Sequence, residues 1–274
     1  MSRTYIPKTY NKHKKIASKP KAKNIIILFL KFLIFIIIIG GIGYLLYSPV
    51  LNIINFEIKV ENENLRTEIN SKTKDIVSVQ THWWYNNKNI FLLRSDKLEK
   101  DLLQEFPQIK SIGVKRDLLN RVINLDIVLR NPAFYYCDNE LCYNISEEGV
   151  NMGINQSLDS NLVEIKNVSS KQAGEYIFSE REISWLKNIL QEYNTIDTVK
   201  IKSIDIQQKS GNDIVSIFVY TEKGYYIMLD LDTDIIYQSQ ALKQAFISQI
   251  PPEKRDSLEY IDLRIKDRIY YKFK

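Results

Sequence analysis

The residues of this chain with most capacity for chemistry are two cysteines and a few closely spaced carboxylates. Cys137 and Cys142 stand in Tyr135-Tyr136-Cys137-Asp138-Asn139-Glu140-Leu141-Cys142-Tyr143, where a polar centre between aromatic arms reads as a tight hairpin. With Asn139-Glu140 as a two-residue loop, Asp138 faces Leu141 and Cys137 faces Cys142, a cross-strand pair close enough for a disulfide. So short a closed loop would contribute about 2 kcal/mol on the chain-entropy model. Free thiols are the alternative. Half of a metal site is a weaker one, because C-x₄-C brings no second ligand pair and the only histidines are His13 and His82. Asp230-x-Asp232-x-Asp234 has the opening of a calcium loop, yet Ile235 and Ala241 stand where that loop needs Gly and Glu. Acids at a helix N-terminus explain it better. No nucleophile with a base, no phosphate-cradling glycine loop and no metal cluster can be assembled, and Glu147-Glu148 reads as a solvated turn. The sequence therefore predicts no catalytic residue, no metal site, no cofactor and no small-molecule substrate.

The element that positions everything else is an apolar run over residues 25–47, interrupted only by Lys31. About 23 helical residues at roughly 1.5 Å each reach about 34 Å, enough for a hydrocarbon core of about 30 Å. Lys31 lies near one end, where its stem can carry the ammonium towards the headgroups. A cleaved signal peptide is the competing reading, but the run is long for one and Tyr47-Ser48-Pro49-Val50 is a poor cleavage site. Residues 1–24 carry Arg3, Lys8, Lys12, Lys14, Lys15, Lys19, Lys21 and Lys23 without an acid, which places this tail in the cytoplasm and residues 52–274 outside, in a periplasm or wall space. The chain's formal charge is +5, from 38 basic and 33 acidic residues. Nine of those basic residues belong to the tail and Lys31, so 29 face all 33 acids and the exterior part is acidic by about four charges. The positive charge thus faces the membrane and nucleic acid is not an expected partner.

The exterior part reads as two α+β units, residues 52–130 and 131–274, with a composition change at Asn131-Pro132. In the first, Phe56-Glu57-Ile58-Lys59-Val60 alternates as a strand and a weaker helical pattern covers residues 65–84. Ser95 then caps a helix with Leu98, Leu102, Leu103 and Phe106 on one stripe, stopped by Pro107. Residues 109–115 and 122–129 form a hairpin. The order β-α-α-β-β calls for a small sheet with both helices on one face. Trp83, Trp84 and Tyr85 read as packing between elements. The second unit is a larger mixed sheet with two helices. One is capped by Ser179-x-x-Glu182 and buries Ile183, Leu186, Ile189, Leu190 and Tyr193, and the other covers residues 234–249. Strands are expected at residues 199–207, 213–221, 225–231, 258–265 and 268–273.

In this order and spacing, the chain resembles the FtsQ/DivIB family of bacterial cell-division proteins, which have a cytoplasmic tail, one span, a POTRA module and a β-rich domain. The resemblance rests on Phe56-x-Ile58-x-Val60, on Asn89-Ile90-Phe91-Leu92-Leu93 and on Phe106-Pro107-x-Ile109-x-x-Ile112-x-Val114-x-Arg116. Further along it rests on Arg130-x-Pro132, Ile145-x-x-x-Gly149-Val150 and Tyr260-Ile261-Asp262-Leu263-Arg264. The chain departs from the family where Asp117-Leu118-Leu119 replaces the usual proline after Arg116, where Leu129 replaces Glu, and where Ser146 replaces Asp. The resemblance implies a non-enzymatic scaffold at the division septum that binds the coiled-coil membrane proteins FtsB/DivIC and FtsL and helps control septal peptidoglycan synthesis. It also implies capture of the partner as an added strand at the far end of the β domain, here residues 260–274.

The terminal residues support such a mechanism on their own. Ile269, Tyr271 and Phe273 alternate with Tyr270, Lys272 and Lys274, so a last strand carries aromatics on one face and bases on the other. Its unpaired backbone groups would give affinity by strand addition and its bases would receive an acidic segment. The expected partner-binding set is Tyr260, Ile261, Arg264, Ile265, Arg268, Tyr270, Tyr271, Lys272 and Phe273. An ordinary edge strand guarded against aggregation by Lys272 and Lys274 is the plain alternative. Asp262 and Arg264, two apart on one face, read as a surface ion pair or as steering charges. A different class of function, an envelope export component that holds client segments through the POTRA module, is the second expectation.

Overall fold

The computed structural model describes residue 4 and residues 22–79, 88–155, 159–196, 199–208 and 214–274. The basic tail up to residue 21, apart from residue 4, His82, and the Trp83-Trp84-Tyr85 cluster lie outside the described residues. Helix α1, Ala22–Tyr47, has 26 residues and would extend about 39 Å. Its stretch Ile25–Tyr44 is long and apolar enough to cross a membrane and is buried by no other part of the chain. No other described part of the chain covers its apolar side chains, as suits a helix that lies in lipid.

After α1 come β1 (Asn55–Lys59), α2 (Glu63–Ser78), α3 (Ser95–Glu105), β2 (Ile109–Asp117) and β3 (Val122–Leu129). The three strands form one sheet in the order β1-β3-β2, with β1 parallel to β3 and β2 antiparallel to it. The order β-α-α-β-β is the one the sequence pattern called for. Helix α2 starts two residues before its expected position because the Asn62 side chain accepts the Leu65 N–H and so caps it. It ends at Ser78, while residues 80–87 lie outside the described residues. Its buried residues, Leu65, Ile69, Thr73 and Val77, recur every fourth position. Leu65, Ile69 and Val77 meet Leu98 and Leu102 of α3 and Ile112, Ile123 and Leu125 of the sheet in one core. Ser95 does not cap α3 as expected. Arg94 occupies the cap position and Ser95 begins the helix, its hydroxyl taken by Arg116 at 2.9 Å.

The remaining strands are β4 (Pro132–Asp138), β5 (Leu141–Ser146), β6 (Asn151–Ile154), β7 (Val163–Lys166), β8 (Ile201–Gln208), β9 (Ile214–Thr221), β10 (Tyr226–Leu229), β11 (Leu258–Asp262) and β12 (Tyr270–Phe273). They form a nine-stranded mixed sheet in the order β12-β11-β10-β9-β8-β7-β4-β5-β6. Helices α4 (Glu180–Asn194) and α5 (Ile235–Ser248) contribute to one core with it. The capping box at Ser179 and Glu182 is present in full, and Asp234 caps α5 by accepting the Ile236 N–H. Trp185 joins the predicted stripe of α4, and Leu190 is only partly buried. The last two strands are shorter than expected. Strand β11 ends at Asp262 and β12 begins at Tyr270, so Arg264, Ile265 and Arg268 lie in the connection.

Candidate functional site

The nine-stranded sheet ends at β12, whose one sheet neighbour among the described residues is β11. The ladder sets Tyr260 against Lys272, Ile261 against Tyr271 and Asp262 against Tyr270. Because side chains alternate, Ile261 and Tyr271 fall on the helix-covered face, and Tyr260 and Lys272 on the opposite one. Ile261 is fully buried in the core. Its side chain therefore packs in the core. Tyr271 and Phe273 are half-buried against the same core, ring edge to face at 5.6 Å, with Lys254 above Phe273 at 5.9 Å. They can offer a partner their backbone more readily than their rings. Tyr270, Lys272, Arg264, Ile265 and Arg268 are exposed.

The outer face of the sheet carries an aromatic row that the sequence reading missed. Tyr226 of β10 lies 5.5 Å from Tyr220 of β9, 5.8 Å from Phe218 and 5.9 Å from Tyr260 of β11, ring centre to ring centre. The ladder continues from Tyr226 through Tyr260 to Lys272 at the edge. Tyr220, Tyr226 and Tyr260 are each half-buried. Helices cover the opposite face, so this row is the amphipathic surface next to an open edge. Tyr260 comes from a strand that α5 separates from β9 and β10, which is why no local pattern marked the row. Burial, and then the nearby Asp205, push the Tyr220 hydroxyl's pKa up. Glu259 accepts a 2.6 Å bond from Lys272 and raises the pKa of that ammonium, keeping it charged.

At the end of β11, Asp262 and Arg264 form a two-pronged pair. Arg264 donates from Nε to Oδ1 at 2.9 Å and from Nη2 to Oδ2 at 2.7 Å, and its backbone N–H adds a 3.0 Å bond. This is not the surface pair the spacing suggested, because the Asp262 side chain is only 12% exposed. Burial alone would raise the Asp262 pKa, but the bonds from Arg264 outweigh it and hold the carboxyl below its ordinary range. The pair fixes the guanidinium at the start of the β11–β12 connection.

The cysteine hairpin has the predicted register, with Cys137 opposite Cys142 and Asp138 opposite Leu141. The two sulfurs are bonded, with Cα atoms 4.0 Å apart. Asn139 takes a φ of 55° in the turn, which its short polar side chain tolerates. The supposed calcium loop is a helix entry. Asp230 accepts the Asp232 N–H and the Thr233 hydroxyl, and Asp234 caps α5.

Glu147-Glu148 is not merely solvated. Glu148 accepts from Lys110 of β2 at 2.7 Å and from Arg130 at 3.2 Å. Arg130 also donates to the Pro107 carbonyl, and its N–H bonds to Gln108, while the Glu147 N–H reaches the Asn131 carbonyl. The Arg130-x-Pro132 segment thus ties the hairpin of the small sheet to the β5–β6 turn of the large one.

No family model and no curated protein matches the chain. A solved structure is similar to 45% of this chain and 99% of its own, at 15% identity and a TM-score of 0.28. It is described as the major extracytoplasmic domain of the trans isomer of the bacterial cell division protein DivIB from Geobacillus stearothermophilus.

Proposed function

We propose that this chain is a membrane-anchored, non-enzymatic scaffold of bacterial cell division, which captures a short coiled-coil membrane protein of the FtsB/DivIC or FtsL kind by adding its strand to β12. The single observation that carries the reading is the edge position of β12 beside the Tyr226–Tyr260–Lys272 row. An added strand would satisfy the backbone groups along the edge and lay its outward side chains beside the tyrosines. Acidic residues on it would meet Lys272. The residues in which the chain resembles the FtsQ/DivIB family support the same assignment, with the tail in the cytoplasm, the folded part outside, and the septum as the place of work. In this role the scaffold contributes to control of septal peptidoglycan synthesis through the proteins it holds.

The test is binding of residues 52–274 to the coiled-coil division protein of the same genome, with Tyr271→Pro and Lys272→Pro beside the native fragment. Backbone N–H groups of an edge strand alternate between inward and outward, so one of these two prolines removes a donor that only a partner would use. Expected is one variant that keeps its circular dichroism and melting temperature and no longer binds. Undiminished binding by both folded variants would refute strand addition at β12. No binding by the native fragment would bring the export reading forward.

A further inference from the structure

We propose that the β2–β3 turn, at Leu118-Leu119, dips into the membrane surface beside the span. The turn inverts the usual arrangement of a hairpin tip. Its polar residues bond to one another, Asn120 donating from its backbone to Asp117 Oδ1 at 3.0 Å and from its side chain to Oδ2 at 2.8 Å. Its apolar residues point out, Leu119 being 96% exposed and Leu118 48%. The exposure is built into a braced turn.

Topology puts this tip on the membrane side. Strand β1 starts shortly after α1 and runs parallel to β3, with Asn55 opposite Val122. The turn that precedes Val122 therefore points back towards the span. Arg121 donates to the Val50 carbonyl at 2.8 Å, and the Ile54 N–H bonds to the Arg121 carbonyl. The module is strapped to the helix end as well. Buried Asn89 donates to the Leu46 carbonyl at 2.6 Å, and Ile53 and Ile90 bond to Lys88 and Leu51. These bonds fix the tip's height relative to the membrane.

That height is short in chain terms. The 20 residues Ile25–Tyr44 match the hydrocarbon thickness. The parallel register puts Arg121 level with Ile54 and Val122 level with Asn55, so the tip, two residues back at Leu119, comes near the level of Asn52. Asn52 follows the end of α1 at Tyr47 closely, through the compact turn Pro49–Leu51. Tyr47, Val50, Ile54 and Phe91, all about half exposed or more, lie on the elements joined at this end. The occupant is the lipid surface of the membrane that holds α1.

The experiment uses the full chain in vesicles of phosphatidylcholine and phosphatidylglycerol, with a nitroxide label on Leu119→Cys, Phe35→Cys or Ile247→Cys. Phe35 lies in the span, and Ile247, 80% exposed, lies on α5. Dissolved oxygen concentrates in lipid and a nickel chelate stays in water. Position 119 is expected to give an oxygen-to-nickel collision ratio between that of position 35, in the lipid, and that of position 247, in water. Adding Leu118→Asp should shift position 119 several-fold towards nickel, because a carboxylate resists the lipid. Position 119 behaving like 247 while 35 reports lipid would overturn the proposal and leave the scaffold reading intact. Water exposure at position 35 would remove the span, and the proposal with it.

Discussion

Replacing Glu148 by Gln tests whether charge joins the two sheets. Glu148 is 28% exposed, Arg130 17% and Lys110 51%. Burial raises the carboxyl's pKa, but bonds from Lys110, Ser146 and Arg130 more than reverse this, lowering it from 4.5 to about 2. At about 1.36 kcal/mol per unit, the difference of about 2.5 units sets an upper limit of about 3.4 kcal/mol. Lys110 is half in water, so screening reduces the expected contribution to about 1–2 kcal/mol. The folded pKa is depressed, so the stabilisation is complete above about pH 4.5 and is lost as pH falls towards about 2. Urea unfolding of residues 52–274 should show Glu148→Gln less stable by about 1–2 kcal/mol at pH 7. The gap should narrow at pH 3, because native protein loses stability there that the variant never had. A gap independent of pH, or none at pH 7, would refute the argument.

Three further outcomes are expected. Cys137→Ser with Cys142→Ser should lower stability by about 2 kcal/mol, and reductant should do the same to the native protein while leaving the double variant unchanged in urea titration. Gly149→Ala should lower the melting temperature by several degrees, since Gly149 has a φ of 82° and an added Cβ would lie 2.8 Å from the Phe178 carbonyl oxygen. Asp262→Ala should cost about 2 kcal/mol by leaving Arg264 without its two-pronged partner, and this cost should shrink as pH falls below the ordinary carboxylate range, where native Asp262 also loses its charge.

The sequence by itself determined the elements whose causes are local. The span follows from an apolar run alone. The order β-α-α-β-β follows from alternation and helical stripes, and the capping box at Ser179 from two residues three apart. The cysteine register was legible because a two-residue loop leaves one way to pair its arms. Ser95 shows where local reasoning stops, since a residue typical of caps was claimed by Arg116 from 21 positions away.

Only the tertiary structure decided what depends on distant residues meeting. Alternation marked the two faces of the last strands but could not say that Ile261 lies in the core, because helices cover one face and nothing local tells which. The tyrosine row needs β9, β10 and β11 side by side, and the 28 residues between Leu229 and Leu258 hide that adjacency. The Glu148 clamp and the height of Leu119 arise in the same way. An ion pair forms only where separate turns converge, and the β2–β3 turn points back towards α1 only because β1 and β3 run parallel. Local propensity sets an element's type, whereas the partners that bury, pair or expose its side chains are set by how the whole chain closes on itself.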